Sequence, residues 1–151
     1  MKKPTSFGIW ANTDKKVFWD TFPSIIDWAK KNNLQLFVTT RIESRLKNSD
    51  FDYKLINNAD DFNKVDFVLS LGGDGTILSL ARAVAERGTP ILGIHLGELG
   101  FLAEVVLNDM YSRMGEVLNG DFLIQKRMAI KESRKQQKDN VRGVKKEETK
   151  K

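Results

Sequence analysis

Cysteine is absent from the 151 residues, and histidine occurs once, at His95. The first absence excludes a disulfide framework, a thiol nucleophile and a Cys-ligated metal. A lone imidazole excludes a multi-His metal site and leaves no spare base for a Ser-His-Asp triad. No apolar run approaches the ~18 residues that a membrane-spanning helix needs. The basic start, Met1-Lys2-Lys3-Pro4-Thr5-Ser6, is not followed by the long apolar stretch and small-residue cleavage site of a secretory leader, so a cytoplasmic location is expected. No internal repeat is present.

Positive charge is concentrated rather than general. Of 25 basic and 20 acidic residues, eleven and four lie between Lys126 and Lys151, which leaves fourteen and sixteen in the rest of the chain. The net charge of +5 therefore belongs to the tail, and the body carries no electrostatic mark of nucleic-acid binding. Aromatics are missing from Lys126 to Lys151, so bases have nothing to stack on there. From Lys131 onward Val141 and Val144 are the only sizeable apolar side chains, too little to offset the entropy of ordering. The chain divides accordingly into a globular segment, 1–125, and a basic polar tail, 126–151, expected to be disordered.

The globular segment alternates strand and helix patterns. Phe7-Gly8-Ile9-Trp10 reads as a first strand. Phe18, Phe22, Ile25 and Ala29 recur at helical spacing, with Pro23 predicting a kink or a start near Thr21. Leu34 to Thr40 reads as a second strand. Residues 41–62 are mixed and polar, a long connection with one short helix. Val65 to Leu71 is apolar on both faces, as a central parallel strand requires. A helix follows with Ile77, Leu80, Ala81 and Val84 on one face, stopped by Gly88 and Pro90. Ile91 to Ile94 is the next strand, a Gly-bearing loop runs from His95 to Gly100, and Asp109 to Leu118 reads as the last helix. Such alternation predicts an α/β fold with a mostly parallel sheet covered by helices. Ligands of such sheets bind at the carboxyl ends of the strands, where both glycine-bearing loops emerge.

Gly72-Gly73-Asp74-Gly75-Thr76 joins the predicted central strand to the helix. Glycines permit positive φ and close backbone approach, and the N–H groups of a strand-to-helix turn favour phosphate. Neither the Gly-Lys-Ser/Thr of a Walker loop nor the G-x-G-x-x-G of a dinucleotide fingerprint is present. Asp74 stands out, because a carboxylate repels phosphate. It could accept a proton from an attacking hydroxyl or help hold a divalent metal; the plain structural alternative is a helix cap.

Leu71 to Thr76 resembles the GGDGT signature of the NAD kinases, which diacylglycerol and sphingosine kinases share and 6-phosphofructokinases carry in a close variant. Gly93-Ile94-His95-Leu96-Gly97-Glu98-Leu99-Gly100-Phe101-Leu102 is similar to the second NAD kinase segment, G-I-N-x-G-x-L-G-F-L, and follows at the family's spacing. The resemblance covers roughly Phe7 to Ile130. It implies a Rossmann-like three-layer nucleotide-phosphate-binding domain over 1–125. The reaction it implies is transfer of the γ-phosphoryl group of ATP to the adenosine-ribose 2′-hydroxyl of NAD, with a divalent cation such as Mg²⁺. In that reading Asp74 accepts the hydroxyl proton, and Gly72, Gly73, Asp74, Gly75 and Thr76 bind the nucleotides. No protein metal ligands are assigned.

Two positions depart from the family pattern. Ser79 stands where a basic residue is often found; Arg82, one turn on, could reach the site, although a solvated helix face is the stronger reading. His95 replaces the usual Asn and reads first as a loop residue bonded to backbone. Phe101 and Leu102 are expected to pack in the core. The family continues into an all-β domain with an Asn-Glu or Asn-Asp motif that binds the dinucleotide. Asp139-Asn140 has the wrong order and Asn108-Asp109 the wrong place, so that domain is expected to be absent and the chain alone to have low or no activity. The implied partners are small-molecule nucleotides, a second copy, or a full-length kinase; the alternatives are an inactive fragment, a non-catalytic nucleotide-binding module, or a GGDGT kinase acting on a lipid or sugar phosphate.

Overall fold

The structure is a computed structural model that describes residues 3–47, 50–97 and 105–119. Six strands form one sheet in the order β3-β2-β1-β4-β5-β6. They are β1 (Ser6–Ala11), β2 (Gln35–Thr39), β3 (Lys54–Ile56), β4 (Phe67–Gly72), β5 (Ile91–His95) and β6 (Val105–Val106). Every pairing is parallel. The chain winds outward from β1 to β3, then returns to place β4 on the other side of β1. That reversal leaves a crevice at the carboxyl ends of β1 and β4.

The four inner strands, β2, β1, β4 and β5, are buried on both faces, which builds three layers. On one face Phe7, Ile9, Phe67, Leu69 and Leu71 pack against α1 (Lys16–Lys31) and α4 (Met110–Leu118), with Phe7 stacked on Phe67 at 5.2 Å. On the other, Val68 and Ile91 meet Leu80, Ala81 and Val84 of α3 (Asp74–Val84), with Phe62 and Val65 alongside. α2 (Thr40–Glu43) is a single turn whose Ile42 joins the first core.

Two expectations change. α1 begins at Lys16 and carries Pro23 inside it, rather than starting near Thr21. Phe18, Phe22, Ile25 and Ala29 are all buried, so one continuous apolar face holds the helix together across the missing N–H, while Pro23 lies exposed. The polar stretch 41–62 holds, besides α2, the edge strand β3 and the start of a 3-10 turn, Ala59–Lys64. β3 is three residues long with only Ile56 buried, too brief for periodicity to register. The last helix lies where Asp109 to Leu118 was read, as α4, with a 3-10 turn, Leu107–Asp109, leading into it. The tail 126–151 and positions 98–104 of the second loop lie outside the described residues.

Ser70 faces the α3 side of β4, two residues along from Val68. It is fully buried, and its hydroxyl has no hydrogen-bond partner among the described residues. A stranded hydroxyl is a desolvation cost without return. Ser70→Ala is therefore expected to leave stability unchanged or raise it by up to about 1 kcal/mol in urea denaturation. A clear loss would reveal a partner for that hydroxyl.

Candidate active site

The loop after β4 is short because strand and helix nearly touch. β4 ends at Gly72, Gly73 is the N-cap in an extended conformation (φ −131°, ψ −160°), and Asp74 is the first residue of α3. The first-turn N–H groups of a helix lack intrahelical acceptors, and Gly73 has no side chain to cap them. Thr76 and Ile77 both donate to the Gly73 carbonyl, at 3.1 and 3.2 Å. Asp74 is thus not the helix cap. It is a half-buried carboxylate in the first turn, where the helix dipole favours negative charge.

Of the two uses expected of the three glycines, positive φ and close backbone approach, the first is not made. None of them has a positive φ; among the described glycines only Gly88 does, at 73°. A Cβ on Gly72 would fall 2.9 Å from Thr76 Cβ and closer still to its hydroxyl, so Gly72 is required by contact with the helix. A Cβ on Gly75 would meet nothing within 4 Å, so its backbone is open to approach from outside.

Neighbouring strand ends hold the loop in place. Asn12 donates its backbone N–H to the Leu71 carbonyl at 2.8 Å, and Leu96 to the Gly72 carbonyl at 2.9 Å, which extends the ladder beyond both strands. The β1–α1 turn is braced in turn. Trp19 Nε1 donates to the Thr13 carbonyl at 2.8 Å, and Arg45 donates to the same oxygen while pairing with Asp14 at 2.9 Å.

Beside the loop lies a cleft of about 550 Å³ over the carboxyl ends of β1, β2 and β3. Trp10, Ile56, Phe62 and Ala83 supply apolar wall; Asn12, Thr39, Asn57 and Asn58 supply amides and hydroxyls. Gly75 and Thr76 bring the start of α3 into it. Trp10 is fixed there by its Nε1–H, which donates to Ser79 Oγ at 3.0 Å, while the Ser79 hydroxyl donates to the Thr76 carbonyl at 3.0 Å. Ser79, noted in the sequence for the charge it lacks, therefore holds an aromatic wall. Arg41 lines the same cleft, is exposed, and makes no side-chain hydrogen bond or ion pair among the described residues. Arg82 is exposed and does not line the cleft, as the solvated-face reading expects. His95 ends β5 opposite Gly72.

The sequence reading missed Trp10, Arg41, Asn57, Asn58 and Phe62. Thr39-Thr40-Arg41 stands at the carboxyl end of an expected strand, which could have nominated Arg41. Nothing local marks Asn57 or Phe62, which reach the cleft only because β3 joins the sheet.

Asn57 and Asn58 are positioned by a buried carboxylate. Asp61 Oδ2 accepts the N–H groups of Asn57 at 2.7 Å and Asn58 at 3.2 Å, and Lys64 pairs with Oδ1 at 2.9 Å. The Lys64 partnership first, then the Asn57 N–H, hold the Asp61 carboxyl below its ordinary value; burial opposes them. A folded-state pKa lowered in this way contributes stability above the ordinary carboxylate range, and the contribution is lost as pH falls through the lowered value. Asp61→Asn is expected to flatten the acid limb of a stability-against-pH profile and leave the neutral-to-alkaline limb parallel to wild type. An unchanged acid limb would contradict this placement of the charge.

Residues 7–122 match the family model for the ATP-NAD kinase N-terminal domain. The chain belongs to the ATP-NAD kinase family. The NAD kinase of Thermoanaerobacter sp. (strain X514) is 32% identical over 123 residues, which are 82% of this chain and 42% of that protein. The NAD kinase of Moorella thermoacetica is 36% identical over 124 residues, covering 82% and 39%. That of Geotalea daltonii reaches 47% over 70 residues, covering 46% and 25%. A crystal structure of yeast NADH kinase complexed with NADH superposes with a TM-score of 0.65 at 20% identity, over 79% of this chain and 39% of that one. The chain thus spans less than half the length of these relatives and has the fold of the family's N-terminal domain. Among the described residues no group of three or more metal-ligating side chains occurs, and no helix is long and apolar enough to cross a membrane.

Proposed function

We propose that this chain supplies the phosphate-loop half of an NAD kinase, which transfers the γ-phosphoryl group of ATP to the adenosine-ribose 2′-hydroxyl of NAD and yields NADP and ADP. The observation that carries the reading is the Gly72–Thr76 loop at the sheet's switch point, with Asp74 opening α3 and an aromatic, amide-rimmed cleft beside it. An adenine ring suits walls of Trp10 and Phe62, and a polyanionic chain suits the open backbone at Gly75 and the exposed Arg41.

In the reaction the 2′-oxygen attacks the γ-phosphorus as the bond to the β,γ-bridging oxygen breaks, and ADP departs. The hydroxyl proton passes to Asp74. Gly72, Gly73, Gly75 and Thr76 hold the phosphates in line, which is most of what phosphoryl transfer requires of a protein. A Mg²⁺ ion accompanying ATP would neutralise phosphate charge, and Asp74 is the loop carboxylate suited to meet it. We place the protein in the cytoplasm.

A second reading is a nucleotide-binding module that is inactive by itself and works in association with a second copy or a full-length kinase. Titration calorimetry with ATP and Mg²⁺ tests the shared premise. Binding is expected, weakened about tenfold by Arg41→Ala, the loss of one charge-assisted contact. No heat with wild type would refute both readings. An assay of NADP formation separates them, and diacylglycerol or fructose 6-phosphate in place of NAD checks the acceptor.

A further inference from the structure

His95 is the last residue of β5 and pairs across the ladder with Gly72. Its Nδ1 accepts the backbone N–H of Gly97 at 3.1 Å. An accepting ring nitrogen carries no proton, so the neutral imidazole has its hydrogen on Nε2. That nitrogen is held over the phosphate loop. A methyl group built on Gly73 would lie 3.8 Å from it and would meet no other neighbour within 4 Å. Among the described residues Nε2 makes no hydrogen bond. The loop brace thus accounts for one nitrogen of His95 and leaves the other as a directed donor.

We propose that His95 is a phosphate-binding residue of this chain, its Nε2–H donating to a phosphoryl oxygen held over Gly73. The proposal rests on the nucleotide reading above. The chemistry is that of an acceptor-only ligand: Nε2–H and the backbone N–H groups opening α3 are donors at the same loop, and a phosphoryl group offers oxygens to both. Where the family resemblance leads one to expect Asn, a ring adds reach. An amide at this position can still accept from Gly97, but it has no second donor at the distance of Nε2.

His95 is the only histidine in the chain, so a long-range ¹H–¹⁵N correlation spectrum contains a single imidazole. The expected spectrum of the free chain shows Nδ1 bare and Nε2 protonated. Addition of ATP, and separately of tripolyphosphate, should move the Nε2 resonance and leave Nδ1 nearly in place. Two substitutions then divide the roles. His95→Gln keeps a donor where Nε2 stood and should bind ATP within about threefold of wild type. His95→Asn keeps the acceptor for Gly97 and should bind about tenfold more weakly, the worth of one hydrogen bond. A purely structural histidine gives the opposite order. Circular dichroism confirms that both variants are folded; if either is not, the two ligand titrations of wild type decide. ATP binding with an unmoved Nε2, or a bond from Nε2 that ATP leaves intact and Asp74→Asn abolishes, overturns this proposal alone. Absence of ATP binding overturns the nucleotide reading with it.

Discussion

Asp74→Asn is expected to cut NADP formation by on the order of 10²–10⁴-fold while ATP still binds, in whichever assembly of this chain is active. The physical basis is the position of the carboxylate. Asp74 opens α3, half-buried, between a strand end and the first turn of the helix. Asn preserves size and can occupy the same helical position, so the fold should persist. It cannot take a proton from a hydroxyl. ATP titration of both proteins separates a chemical defect from a binding one. The measurement is NADP formation with ATP, Mg²⁺ and NAD, beside ATP titration of both proteins. A rate within threefold of wild type would show that Asp74 is not the proton acceptor.

The second large effect concerns folding. Gly72→Ala should destabilise the domain by about 1–3 kcal/mol, the usual cost of forcing an atom into an occupied space. The offending neighbour is Thr76, whose Cβ would lie 2.9 Å from the new methyl. Cβ is set by the backbone, so rotation of the Thr76 side chain relieves only part of the clash; strand and helix must separate. Gly72→Ala combined with Thr76→Gly should recover much of the loss, and a double-mutant cycle in urea measures the coupling. Gly73→Ala and Gly75→Ala provide the contrast. The first brings a methyl to ordinary contact with His95 and the second meets open space, so both proteins should fold while nucleotide contact suffers. Equal destabilisation by all three would mean that the loop glycines matter through backbone freedom instead.

Much of the sheet was legible in the chain because its central strands are buried on both faces. Val65 to Leu71 and Ile91 to Ile94 are almost uniformly apolar, and Phe18, Phe22, Ile25 and Ala29 mark α1 without ambiguity. What escaped was short or marginal. β3 buries one residue and β6 has two, and such strands exist because a neighbour offers backbone hydrogen bonds, which a linear pattern does not record. Pro23 misled for the opposite reason: the local signal to break the helix was real, but the packed face of α1 outweighed it.

The sequence by itself determined the family, the α/β class and the loop that matters, because Gly72 to Thr76 is contiguous and its spacing from the second glycine segment can be counted. It also identified Asp74 as the group out of keeping with a phosphate loop. Tertiary structure alone decided how those residues act. Only the close approach of Thr76 shows that Gly72 answers to packing rather than to positive φ. Only the parallel order of β3, β2 and β1 brings Ile56, Asn57, Arg41 and Trp10 around one cleft, across up to 47 positions of sequence. The orientation of His95 depends on a hydrogen bond from Gly97, and its reach over Gly73 on the pairing of β5 with β4 across α3. Chemical types and short spacings are written along the chain; distances between strand ends arise only when the sheet assembles.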